Sequence, residues 1–139
     1  MAKYLVMVQG TQADYETMSG RAAPGSAVWT EKDLQAMYAH MGAINDDLAE
    51  SGELLDAQGL AAPAQARTVD IGQDGKAVIT DGPYSETKEV MAGYWVLECA
   101  SLDRVTEIAE RVNRCPVPEG APVYPVVIRQ IMGGAGDID

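Results

Sequence analysis

Two periods run through the apolar positions of the chain. Residues 3 to 9, KYLVMVQ, form a nearly continuous apolar, β-branched and aromatic run, the pattern of a strand buried on both faces. The next twenty residues lose that pattern. Gly10, Gly20, Pro24 and Gly25 punctuate a weakly periodic stretch with room for one helical turn around 13 to 18. A connection of this length reads either as a lid or as a surface insertion. Thr30 and Asp33 then have the spacing of a capping box, and Leu34, Met37, Tyr38, Met41, Ile44 and Leu48 recur on one helical stripe that Gly52 ends. Residues 53 to 57, ELLDA, predict a short strand. RTVDI (67 to 71) and KAVIT (76 to 80) alternate on either side of Gly72-Gln73-Asp74-Gly75, a hairpin signature because glycine accepts the positive φ of the turn. GYWVLEC (93 to 99) predicts another strand. Leu102, Val105, Ile108, Ala109 and Val112 form the stripe of a second helix behind a Ser101 cap, and residues 126 to 131 make the last strand.

Strand, helix, strand, hairpin, strand, helix, strand is the order of an α+β fold. It predicts two consecutive β-α-β units in a ferredoxin-like sandwich, with an inserted hairpin and both helices on one face of a mainly antiparallel sheet. The other face then needs a partner, and Tyr4, Tyr94 and Trp95 are available for its burial, with the register left open. Residues 1 to 132 are read as one domain, and the polar, Gly-rich residues 133 to 139 as a disordered tail.

Composition changes this picture in one respect. There is no Phe, and Leu, Ile and Val together make only 28 of 139 residues, so Ala and seven Met must supply apolar volume. A thin core of small side chains, completed by a second subunit, is the expectation. The formal charge of -11 repels phosphate backbones and anionic lipid, which excludes nucleic acid and membrane surfaces as partners. No apolar run approaches the roughly 20 residues of a spanning helix, and the first ten residues lack the pattern of a signal peptide. A cytoplasmic protein is expected. Cys99 and Cys115 have no C-x-x-C spacing and one His cannot complete a zinc site with them, so both thiols read as reduced and structural. With no G-x-G-x-x-G, P-loop or G-x-S-x-G, neither a nucleotide cofactor nor a hydrolase triad is expected, and no metal.

The candidate chemistry lies in two places. Asp81-Gly82-Pro83-Tyr84-Ser85-Glu86-Thr87-Lys88-Glu89 concentrates acids and an amine behind a rigid turn. Such a segment either positions a polar ligand and moves protons, or is an Asx-type turn with self-paired charges, Ser85 capping a helical turn. His40, the only imidazole, falls on the shoulder of the first helix, on the flank of Ile44, Asp33 and Asp47. It is either a neutral-pH acid or base or a satisfied packing residue. Arg129, in an otherwise apolar strand, either reaches the sheet edge or pairs with a carboxylate or ligand.

Residues 81 to 116, DGPYSETKEVMAGYWVLECASLDRVTEIAERVNRCP, resemble the YCII-related superfamily, specifically its DGPF branch. The opening KYLVMV, LAESGELLDAQGL and the final VVIRQI extend the resemblance over nearly the whole chain, with Tyr84 in place of the usual Phe. The resemblance implies a ferredoxin-like fold assembled as a dimeric α/β barrel. It implies no established activity for that branch, and the residues and the resemblance together leave two functional readings. The first is a small-molecule enzyme, of lyase or isomerase type, or a ligand-binding protein with a cleft between sheet and helices near the dimer interface. There His40 and Asp81 are the catalytic candidates, and Tyr84, Glu86, Lys88 and Arg129 contact a small polar ligand. The alternative is a non-catalytic dimeric regulatory module associated with an extracytoplasmic-function sigma factor.

Overall fold

The computed structural model describes residues 1–21 and 24–133, so all but the first residue of the expected tail lies outside the described residues. The elements in chain order are β1 (Ala2–Gly10), α1 (Gln12–Met18), α2 (Glu31–Ser51), β2 (Leu54–Gly59), a 3-10 turn (Pro63–Gln65), β3 (Arg67–Ile71), β4 (Ala77–Asp81), β5 (Val90–Cys99), α3 (Leu102–Asn113) and β6 (Val127–Gln130). The main sheet has the order β2-β5-β1-β6 with every pair antiparallel, and β3 and β4 form a separate two-stranded ribbon. This is the strand order of the ferredoxin-like plan with a hairpin inserted between its second and third strands.

Local chemistry sets the helix limits. Thr30 and Asp33 close a reciprocal capping box on α2, and Gly52 ends it in the left-handed region at φ 80°. Ser101 caps α3 by accepting from the Arg104 amide. The stretch expected to hold one helical turn is a full α1, because Thr11 and Asp14 form a second capping box.

Register decides which aromatics go where. Val6 pairs with Trp95 and Tyr4 with Leu97, and these four side chains are buried under the helices with Ile44, Leu48, Cys99, Val105, Ile108, Ala109 and Val112. Each such large apolar side chain contributes roughly 1.5–3 kcal/mol on burial. Tyr4 and Trp95 therefore belong to the helix-covered face, and of the three aromatics expected at the open face only Tyr94 alternates onto it, beside Leu5, Met7 and Val96. Gly93 is required where β2 approaches β5, since a Cβ there would meet the Gln58 carbonyl oxygen at 3.0 Å.

All ten residues of the β3–β4 ribbon are exposed, including Val69, Ile71, Val78 and Ile79. Gly75 takes the positive φ of its turn, as the Asp-Gly signal predicts.

Ion pairs clasp α3 at both ends. Arg104 grips Glu53 through Nε to Oε2 at 2.9 Å and Nη2 to Oε1 at 2.8 Å, and Arg111 meets Asp47 of α2 at 2.7 Å. The Arg104 guanidinium holds the Glu53 carboxyl well below its ordinary 4.5, at about 2. A depressed carboxyl contributes stability that is complete above its unfolded value and is lost as pH falls through its folded one, so the window here runs from pH 4.5 down to 2. Glu53→Gln is therefore expected to be less stable than the parent at neutral pH, with the deficit in urea denaturation shrinking across that window. A deficit that stays constant to pH 2 means Glu53 acts through packing alone.

Candidate functional site

The apolar stripe of α2 is longer than the core beneath it. Ile44 and Leu48 are fully packed, whereas Leu34, Met37, Tyr38 and Met41, one to three turns earlier, line a cavity of about 1080 Å³. Its floor is the helix face of the sheet beyond Trp95, where Val8, Gly10, Ala57 and Gly93 present little or no side chain. Its walls come from α1, the 25–29 segment with Trp29, the C-terminal end of α3 with Cys115, and the 117–126 segment with Tyr124. Large aromatics on the walls over small residues on the floor leave the volume empty.

Several of the polar groups at this cavity are held in place. The Trp95 indole N–H donates to Asn45 Oδ1 at 2.7 Å, fixing both side chains at the boundary between core and cavity. Asp14 Oδ2 accepts from the Thr11 amide at 2.9 Å and from the Tyr124 hydroxyl at 2.7 Å. Burial, reinforced by Asp14, pushes the Tyr124 phenol up to about 12, so it stays protonated and donating. The Tyr15 hydroxyl lies 2.9 Å from the Leu60 carbonyl and 3.2 Å from that of Ala92, and burial raises its pKa as well. The Cys115 thiol also lines the cavity; burial pushes its pKa up, and both Cys99 and Cys115 are free.

Short α1 is pinned rather than lid-like. The Gln12 side chain accepts from the Ala64 amide at 2.8 Å, the Ala13 amide donates to the Glu86 carbonyl at 3.1 Å, Asp14 holds Tyr124, and Tyr15 reaches β5. Four consecutive residues thus tie four distant segments together.

The six residues singled out in the sequence do not converge on this cavity. His40 is half-buried against α3, its Nε2 2.8 Å from the Arg111 carbonyl oxygen, to which it donates. Asp81 is engaged by Arg67 across the ribbon, Nε to Oδ1 at 2.6 Å and Nη2 to Oδ2 at 3.3 Å, rather than by amides of its own turn. Gly82 has φ 58° and donates its amide to the Ala66 carbonyl at 2.8 Å, which docks the turn onto the 3-10 segment. Tyr84 lines a smaller hollow of about 400 Å³ with Pro63, Val90 and Met91. Residues 85 to 88 form a simple turn closed by the Lys88 amide on the Ser85 carbonyl, not a capped helical turn. The Glu86 carboxyl stands beside that of Glu16, and their shared hydrogen bond raises the pKa of Glu86 while lowering that of Glu16. Lys88 makes no ion pair among the described residues. Arg129 is exposed on β6 opposite Leu5, on the face of the sheet away from the helices.

The cavity residues missed from sequence left uneven signals. Asn45, one residue past Ile44, is a polar group set into a helical region that otherwise packs. Trp29, Asp14 and Tyr124 sit in or beside irregular segments, where no periodicity points inward. Among the described residues no group of three His, Cys, Asp or Glu side chains is arranged to hold a metal ion, and no helix is long and apolar enough to cross a membrane.

With this geometry in view, two comparisons bear on the chain. Residues 2–127 match the profile of the YCII-related domain. A Rhizobium meliloti (strain 1021) protein described as uncharacterized is 25% identical over 96 residues, covering 69% of this chain and 77% of that protein.

His40→Ala removes the donor to the Arg111 carbonyl and is expected to lower stability in urea denaturation by about 1 kcal/mol. Asp81→Ala is expected to cost less than about 1 kcal/mol, because both partners of its ion pair are more than half exposed. A reversed order of these two losses contradicts the roles assigned to them.

Proposed function

The chain belongs to the YCII-related domain family, and we propose that it is a small-molecule binding protein whose ligand occupies the helix-side cavity. One observation carries this reading: four of the six residues of the α2 stripe line about 1080 Å³ of space, and only Ile44 and Leu48 are buried in the core. Apolar surface left unburied in that quantity costs stability in the free protein, and an apolar ligand regains it. A few fixed polar groups, Asn45, Tyr124 and Asp14, give orientation. Lyase or isomerase turnover is the enzymatic form of the same reading. His40 and Asp81 line neither cavity, so they are assigned no step in it.

Asp81-Gly82-Pro83-Tyr84 followed by Glu86-Thr87-Lys88-Glu89 supports placement in the DGPF branch. Leu5, Met7, Tyr94, Val96 and Val127, on the face without helices, support a homodimer of the α/β-barrel kind built by packing two such faces. The unpaired thiols Cys99 and Cys115 support a reducing, cytoplasmic setting. A second reading, a regulatory module acting with an extracytoplasmic-function sigma factor, is favoured by the β3–β4 ribbon. Its Val69, Ile71, Val78 and Ile79 are exposed among the described residues, and an isolated two-stranded ribbon is marginal in water.

Calorimetric titration with a neutral aromatic probe, naphthalen-2-ylmethanol, is expected to show saturable binding at one site per chain. Met37→Trp, which fills the cavity from α2, is expected to abolish it without loss of the folded state by circular dichroism. Absence of saturable binding, or binding unaffected by Met37→Trp, sinks the ligand reading. Val96→Lys is expected to convert the dimer to a monomer in sedimentation; an unchanged dimer removes the open face as the interface.

A further inference from the structure

The charges around the cavity are one-sided. Among its described lining residues there is no Lys, Arg or His, and the single formally charged group is Asp14. Its Oδ2 is occupied by the Thr11 amide and the Tyr124 hydroxyl, while Oδ1 accepts no hydrogen bond among the described residues. The same cavity is lined by five aromatic residues on its helix side, Tyr15, Trp29, Tyr38, Trp95 and Tyr124, and by the thioethers Met37 and Met41. Aromatic faces present negative potential and attract cations, and they do so more strongly where water is excluded. A carboxylate fixed by two donors in the same wall adds a full negative charge that cannot swing away. An anionic ligand entering here meets no donor of positive charge and faces both the rings and the carboxylate, so burying its charge is uncompensated.

We propose that the ligand of this cavity is an aromatic or otherwise apolar cation, an amine or quaternary ammonium, whose charge sits between the Asp14 carboxylate and the surrounding rings. This rests on the ligand-binding reading above and narrows it to a chemical class. The scaffold of α1 serves that purpose. The capping box formed by Thr11 and Asp14 sets the carboxylate's position in the helix, and the link to Tyr124 orients it toward the 117–126 wall. Tyr124, kept protonated, donates to the carboxylate and never adds a competing charge.

The test uses the full chain and three probes on one ring system: naphthalen-2-ylmethylamine, protonated near neutral pH, naphthalen-2-ylmethanol and 2-naphthoate. Calorimetry is expected to give about tenfold tighter binding of the amine than of the alcohol, a difference of about 1.4 kcal/mol, and no measurable binding of the carboxylate. In Asp14→Asn the amine is expected to weaken about tenfold while the alcohol stays within about twofold. Met18→Lys keeps Thr11 and Asp14 and places an ammonium on the cavity wall one helical turn after the carboxylate, within ion-pair reach of it, and is expected to weaken the amine and admit 2-naphthoate, so the proposal stays testable if Asp14→Asn does not fold. The net charge of -11 attracts any cation, so the titrations are repeated at about 0.5 M salt, where exposed charges are largely screened. A preference that survives salt and falls with Asp14 supports the proposal. If the alcohol binds and the amine binds no better, or if the preference vanishes with salt and ignores Asp14, the cation inference is overturned while the cavity remains a ligand site. If no probe binds, the ligand reading itself has failed.

Discussion

Trp95 divides the helix face of the sheet into a packed half and an open half. On one side of it Leu97 and Cys99 of β5 lie under Ile44, Leu48 and Val105 with essentially no exposure. On the other side Gly93 of β5 and Gly10 of β1 carry no side chain, and α2 continues above them with nothing beneath. An indole buried at such a boundary needs an acceptor for its N–H, and Asn45 supplies it from α2 at 2.7 Å. That bond ties α2 to β5 where the packed core ends and the cavity begins. A side chain at Gly93 would be crowded, since its Cβ would lie 3.0 Å from the Gln58 carbonyl oxygen of β2 and 3.4 Å from the Val8 side chain.

A thin core is the other face of this arrangement. With no Phe and few branched aliphatics, the chain closes the packed half with eleven buried apolar residues and relies on polar clasps at the margins. Glu53 with Arg104, Asp47 with Arg111, and His40 on the Arg111 carbonyl hold α3 along its length. The same economy governs α1, seven residues long and without a buried side chain, which is stable because its side chains and first amides are bonded to segments up to 110 positions away. The Asp81 to Glu89 motif is one of those segments. Its backbone is docked through Gly82 on Ala66 and through Glu86 on Ala13, so its first role is to join the ribbon and the 3-10 turn to α1.

The cavity inherits its chemistry from what surrounds it. Among the described residues the arginines in ion pairs, Arg67, Arg104, Arg111 and Arg114, are each matched to a carboxylate, and none of them lines the cavity. The described lining residues are apolar, aromatic or uncharged polar, with one carboxylate. A surface that carries -11 overall and a cavity that carries only Asp14 favour the same sign of ligand, for entry and for residence.

Periodicity alone determined most of the architecture. The stripe from Leu34 to Leu48, the Thr30–Asp33 capping box, the Asp-Gly turn and the strand patterns were all legible because each is a local pattern with a local cause. Strand limits shifted by up to three residues, β5 beginning at Val90 rather than Gly93, and α1 came out longer than its weak pattern indicated because its capping box and its bonds to distant segments hold it. The wheel placed His40 on the flank of Asp47, and both in fact meet Arg111, but which helix would face that flank was not in the pattern. Sequence pointed to the conspicuous polar motif as the site, since charge density and turn residues are visible one position at a time. Only the tertiary structure decided that Tyr4 and Trp95 face the helices, that the motif's groups are taken up by Arg67, Ala66 and Ala13, and that the empty volume lies elsewhere. A cavity is a difference between the space the backbone encloses and the side chains that fill it, and that difference depends on residues such as Gly10, Trp29, Asn45 and Tyr124 that meet only after the chain has folded.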